Sequence, residues 1–234
     1  MPRPSDTSVL MFLGLVAIVA ILLVVGLARR APGEDRAVSR RWFAVSLVIL
    51  AIWTIPSALA AARGALTFTG RPPTFFLLLL LTTLATAVLA FSPAGTRLVT
   101  RVGIAGLIGF QAFRLPLELL LHRLHGEGAL PVQMTFAGSN FDIVSGVLGA
   151  VVGIWALAGR VPRWAVLAFN LIGLALLVTI VTIAILSMPT PLRRFHDGTA
   201  PTIVASWPFV WLPAFLVQAA WFGHLLVFRK LAAR

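Results

Sequence analysis

Seven apolar stretches, separated by short polar or basic segments, run the length of the chain. They cover residues 9–28, 42–62, 73–92, 102–121, 140–158, 165–187 and 208–228. Each is close to the roughly 20 residues that cross the hydrocarbon layer as a helix. Backbone groups in lipid must be bonded within their own segment, so each stretch is read as an α-helix despite Pro56 and Pro213. The expectation is an all-α, polytopic integral membrane protein with a single domain of seven transmembrane helices over residues 1–234. The first stretch is too long for the apolar core of a signal peptide and has no small-residue cleavage site before Arg29, so it is read as a retained helix.

Composition strengthens this picture. Hydrophobic residues make up 59% of the chain and charged residues 11%, which no soluble globule of this length could bury. A net charge of +12 then suggests the bilayer rather than nucleic acid as partner, because basic residues orient a membrane protein on an anionic leaflet. On the side of the N-terminus lie six arginines: Arg3, Arg63, Arg71, Arg123, Arg193 and Arg194. Twelve basic residues lie on the other side: Arg29, Arg30, Arg36, Arg40, Arg41, Arg97, Arg101, Arg160, Arg163, Arg229, Lys230 and Arg234. Positive loops stay inside, so the N-terminus is expected outside and the C-terminus in the cytoplasm. The chain has no cysteine, which excludes disulfides, thiolate catalysis and cysteine-bound metal.

The fourth stretch carries the chemistry. Gln111, Arg114, Glu118 and His122 fall within an arc of about 80° on a helix. Arg114 lies about 18 Å along the helix from Val102, past the midplane of a core about 30 Å thick. An isolated charge at such depth costs about 2.5–3.5 kcal/mol on insertion scales, so it needs a partner, water or both. Glu118, four residues on, can reach Arg114, and Pro116 removes the hydrogen bond that Ala112 would accept. Gln133, Asn140 and Asp142 approach the membrane from the same outer side, in a segment too polar to span. The seven residues Gln111, Arg114, Glu118, His122, Gln133, Asn140 and Asp142 are therefore expected to converge in the outer half of the bundle. Arg114 would be an anion or counter-charge anchor, Glu118 and Asp142 the titratable groups, and Gln133 and Asn140 the orienting amides.

Four readings of that cluster stand side by side. It binds or passes a small polar or anionic solute, or protons, through an outward-open pocket between the fourth and fifth helices, in a transporter-like or sensor-like protein. It serves a membrane-embedded hydrolase with Glu118 or Asp142 as general base. It belongs to a structural or assembly subunit that binds a partner. Or it is helix–helix glue, through an Arg114–Asp142 or an Arg114–Glu118 bridge. Glu118, His122 and His125 also have helical metal-ligand spacing, with Asp142 as a further oxygen donor; no metal or other cofactor is otherwise expected. Retinal is unlikely, because its Schiff base needs a lysine deep in the last helix, whereas Lys230, the single lysine, follows that helix's apolar run. Asn170, Gln218 and His224 are read as local interhelical hydrogen-bonders. Trp42, Trp207 and Trp211 are read as interface anchors, and residues 193–198 as either a lid or a solvated loop.

The stretch Gln133-Met134-Thr135-Phe136, with Gly138 and Asn140-Phe141-Asp142, resembles a Q-M-T-F-x-G-x-N-F-D motif of a family of uncharacterised bacterial multi-span membrane proteins. Gln111, Arg114 and Glu118 fit the same family. So do Thr182–Ser187 followed by Pro189-Thr190-Pro191, and Pro208-Phe209-Val210-Trp211-Leu212-Pro213 with His224. Ala137 stands where the family often carries an acid. The resemblance implies a seven-span protein of the bacterial inner membrane and supplies no activity.

Overall fold

A computed structural model of the chain describes residues 3–159, 161–196 and 198–233. Asp197 of the predicted outer loop, and Arg160 and Arg234 of the inner basic set, lie outside these residues. The described residues are helical, without a strand. In chain order the helices are α1 (Asp6–Ala28), α2 (Arg36–Ala62), α3 (Thr74–Phe91), α4 (Pro93–Arg101), α5 (Ile104–Phe110), α6 (Arg114–Gly126), α7 (Ile143–Leu157), α8 (Arg163–Ser187) and α9 (Val217–Ala232). A 3-10 turn at Gln111–Phe113 joins α5 to α6, and a π-helical turn at Leu212–Leu216 leads into α9.

Six helical segments are long and apolar enough to cross a bilayer: α1, α2, α3, α5 with α6 as one rod, α8, and the π turn with α9. The seventh predicted stretch is shorter. At 15 residues, α7 measures about 22 Å, less than the hydrocarbon thickness. Its start at Ile143, rather than at 140, reflects the preceding chain, which is non-helical from 135 on and partly buried: Gln133, Met134, Thr135 and Asn140 are enclosed, whereas Val132 and Phe141 are exposed. Non-helical backbone at such depth persists only where protein covers it.

Local signals explain the helix boundaries. Ser5 caps α1, Asp35 caps α2, and Ser92 caps α4 with Pro93 at the first helical position. The sequence suggests a plain loop over residues 93–101, but these residues form α4, whose Ala94, Leu98 and Val99 are buried. Pro116 lacks the N–H that Ala112 would receive, and the rod tightens into its 3-10 turn at that level.

The α5–α6 rod and the last span are the centre of the bundle and the most buried of the six, whereas α1, α2, α3 and α8 turn apolar faces outward. Ile52 is 69% exposed and Val88 73% exposed, an arrangement suited to acyl chains and not to water. Polar ties hold the helix ends at both faces. Beside the N-terminus, Ser5 and Ser8 donate to Glu127, and Arg123 pairs with it at 3.3 Å. At the opposite face Arg97 donates to Leu27 O and to both carboxylate oxygens of Glu34, Arg229 to Ala90 O, Lys230 to Val99 O and Arg163 to Leu231 O. Several of the basic residues on that face thus satisfy carbonyls left open at helix ends.

Candidate functional site

The centre of the bundle is assembled by close backbone approach. Along α7, Gly146, Gly149 and Gly153 face the α5–α6 rod. A Cβ on Gly146 would collide with the Leu115 backbone, and one on Gly149 would lie 3.0 Å from Ala112 N. Small residues let two membrane helices pack this tightly. The consequence is that Asp142, immediately before α7, is pressed against Arg114 at the start of α6.

Arg114 is the hub. Its Nε donates to Asp142 Oδ2 at 2.7 Å, and its Nη2 to Asp142 Oδ1. Nη1 reaches His224 Nε2 at 2.9 Å and Gly173 O at 3.2 Å, and Nη2 reaches the same carbonyl at 3.3 Å. All five guanidinium N–H groups therefore have an acceptor. Because the guanidinium only donates, His224 Nε2 accepts, and its Nδ1–H then donates to Asn170 Oδ1 at 2.8 Å. Asn170 Nδ2 returns a bond to His224 O at 3.2 Å. A second branch runs through Asn140, whose Nδ2 donates to Glu118 Oε2 at 2.6 Å and whose Oδ1 accepts from Asp142 N at 3.0 Å. Arg114, Glu118, Asp142, Asn140, Asn170 and His224 are all buried.

Of the seven residues expected to converge, Arg114, Glu118, Asn140 and Asp142 form this network. Arg114 pairs with Asp142 across the helices, while Glu118 bonds Asn140. Gln111 lies deeper and donates to Ala220 O at 3.0 Å; its Oε1 has no partner. Gln133 is buried to one side and donates to Ser187 Oγ at 3.1 Å. His122 is outside the network, exposed and stacked on Phe136 at 4.5 Å. The reason is angular: the inward stripe follows Arg114, Leu117, Leu121 and Leu124, and His122 lies about 100° beyond Leu121. His125 bonds Leu130 O at 2.9 Å. Glu118, His122 and His125 thus do not share a site, and no group of three or more His, Asp or Glu residues suited to a metal occurs among the described residues.

Two members were read from sequence only as local hydrogen-bonders, His224 and Asn170. They do bond each other, but His224 also carries the network to Arg114. The available signal was their position in the middle of apolar spans, where a polar side chain requires a partner. Gln218 does bond across helices, to Thr83 Oγ1 at 3.3 Å.

The pocket differs from the expected outward-open polar one between the fourth and fifth helices. A cavity of about 70 Å³ lies among α3, α6, α8 and the π turn leading into α9. Phe75, Leu117, Ile180 and Leu216 represent its apolar wall, and Arg114, Glu118 and Asp142 line its floor. Met188 and Val204, from the segment between α8 and the last span, close the end nearer the N-terminal face.

Comparison with protein-family models, curated proteins and solved structures finds no match.

Proposed function

We propose that the chain is a seven-span protein of the bacterial inner membrane, N-terminus outside, whose Glu118-floored cavity binds a small polar solute or takes up protons in a transporter-like or sensor-like role. The single observation that carries this reading is the division of labour among the buried charges. Arg114 has no donor left for an incoming anion, whereas Glu118 receives one internal bond, from Asn140, and lines the cavity. Contact with the ligand or proton therefore falls to Glu118, and Arg114, Asp142, His224 and Asn170 act as positioning groups. Intramembrane acids beside a cavity commonly have this role.

The count of seven treats α7 as a span completed by the buried segment before it, and the twelve-to-six distribution of basic residues gives the orientation. The Q-M-T-F-x-G-x-N-F-D stretch supports kinship with bacterial multi-span proteins. A second reading, helix–helix glue, is favoured by the complete satisfaction of Arg114 and applies to the Arg114–Asp142 pair.

The test uses protein in lipid nanodiscs and infrared detection of a protonated carboxyl as pH falls. Glu118→Gln is expected to fold to wild-type yield and to lose a band that wild type shows. Retention of every such band in folded Glu118→Gln would refute the assignment. Topology is checked in the cysteine-free background: Thr69→Cys should react with an impermeant maleimide on intact cells, and Thr100→Cys only after permeabilisation.

A further inference from the structure

We infer that the occupant of the Glu118 cavity is a lipophilic cation, an ammonium head on a single hydrocarbon chain, and that it arrives sideways from the bilayer between α3 and α8. This rests on the reading of Glu118 as the ligand-facing group and adds the ligand's chemistry and route.

The route follows from the helix packing. α3 and α8 both pack on α9 but barely on each other. Between them runs a lipid-facing groove of about 510 Å³. Leu79, Leu177, Val181, Ile185 and Val217 line both the groove and the inner cavity, so the two are contiguous. The groove lining contains no charged side chain. The inner cavity is large enough for a head group and too small for a chain, which the groove would hold.

The charge of the head follows from the floor. Arg114 and Asp142 form a two-point ion pair and cancel, leaving Glu118 as the acid without a cationic partner of its own. A bound ammonium would supply the missing charge in a setting where unpaired charge is costly. A phospholipid amine would bring its phosphate against the same two carboxylates, so the occupant carries no phosphate. An aqueous approach fits less well. At the N-terminal face the neighbouring depression of about 1060 Å³ is lined by Arg71 and Arg193, which repel cations, and the buried Met188 and Val204 line the cavity beneath.

Trp221 lines the groove and serves as reporter. Protein in phosphatidylcholine nanodiscs is titrated with bromododecylamine, bromododecanol and bromododecanoate; the specific signal is the saturable quenching that Trp221→Phe abolishes. The amine is expected to quench at concentrations at which the carboxylate does not. Glu118→Gln should weaken the amine by about tenfold or more while leaving the alcohol unchanged. Val181→Phe, which fills the shared wall, should weaken amine and alcohol alike at unchanged folded yield. Equal affinity for amine and carboxylate would overturn the cation, and full amine affinity in folded Val181→Phe would overturn the route. Either result leaves the infrared signal of Glu118 standing and so spares the underlying site. Loss of that signal's dependence on Glu118 refutes the site itself, and this inference with it.

Discussion

Arg114 and Asp142, 28 residues apart in the chain, meet side by side through two hydrogen bonds at the centre of the bundle. The pair joins α6 to the start of α7 and is buried. Removing one partner strands the other charge, which costs about 3–5 kcal/mol in a buried pair. Arg114→Leu and Asp142→Leu alone should each lower stability by about that amount. The double variant should be less damaged than the sum, because no lone charge remains. Unfolding in mixed detergent micelles measures all three; strict additivity would show that the pair is not coupled.

Close contact between α7 and the α5–α6 rod gives the second prediction. Gly146→Ala should lose about 1–3 kcal/mol, since its methyl group has no room beside Leu115. Gly14→Ala in α1, with nothing within 4 Å of the new Cβ, should be neutral or slightly stabilising. The same unfolding assay compares them.

At the face opposite the N-terminus, pH should act through Glu34. Hydrogen bonding from Arg97, then the Ala31 N–H and the charges of Arg97 and Arg101, outweigh burial and lower its pKa from 4.5 to about 2. An acid whose folded pKa is depressed stabilises the fold above its unfolded pKa, and the gain disappears as pH falls through the folded value. The tie between the α1–α2 loop and α4 should therefore weaken between pH 4.5 and about 2. Trp42 reports it, because the Arg97 guanidinium lies 5.3 Å from its ring centroid. Glu34→Gln should flatten the fluorescence change over that interval; an unchanged profile would exclude Glu34 as its source.

The tryptophans separate bonded from unbonded indoles. Trp53 Nε1 donates to Ala214 O at 2.6 Å beside the π turn, whereas Trp221 Nε1 has no acceptor. Trp53→Phe should cost about 1 kcal/mol more than Trp221→Phe, the usual net value of a lost hydrogen bond. Equal thermal shifts for the two would contradict this.

Hydropathy revealed the long helices, because each must satisfy its backbone alone in lipid. It overestimated α7, since an apolar run that begins on buried irregular chain looks the same as one that begins at the interface. It also passed over α4, although Ser92 and Pro93 form a recognisable helix start. The helical projection placed Arg114 and Glu118 on the bundle side and misjudged His122 by one step around the turn. It left Asp142 and Glu118 as alternative partners of Arg114, and the structure selects Asp142, because spacing along one helix shows who is near within that helix and nothing of the helix opposite. For the same reason the link from His224 to Arg114, which ties the last span into the network, was invisible before the fold.

The separation of these partners in the chain imposes an order on assembly. Asp142 is translated 28 residues after Arg114, and His224 110 residues after it. At about 5–20 residues per second, the guanidinium waits a few seconds for its carboxylate and roughly 5–20 s for its imidazole. During that interval Glu118, four residues on in the same helix, is the counter-charge within reach of Arg114. The guanidinium therefore changes partners during assembly, from Glu118 to Asp142 and His224, as the later helices emerge.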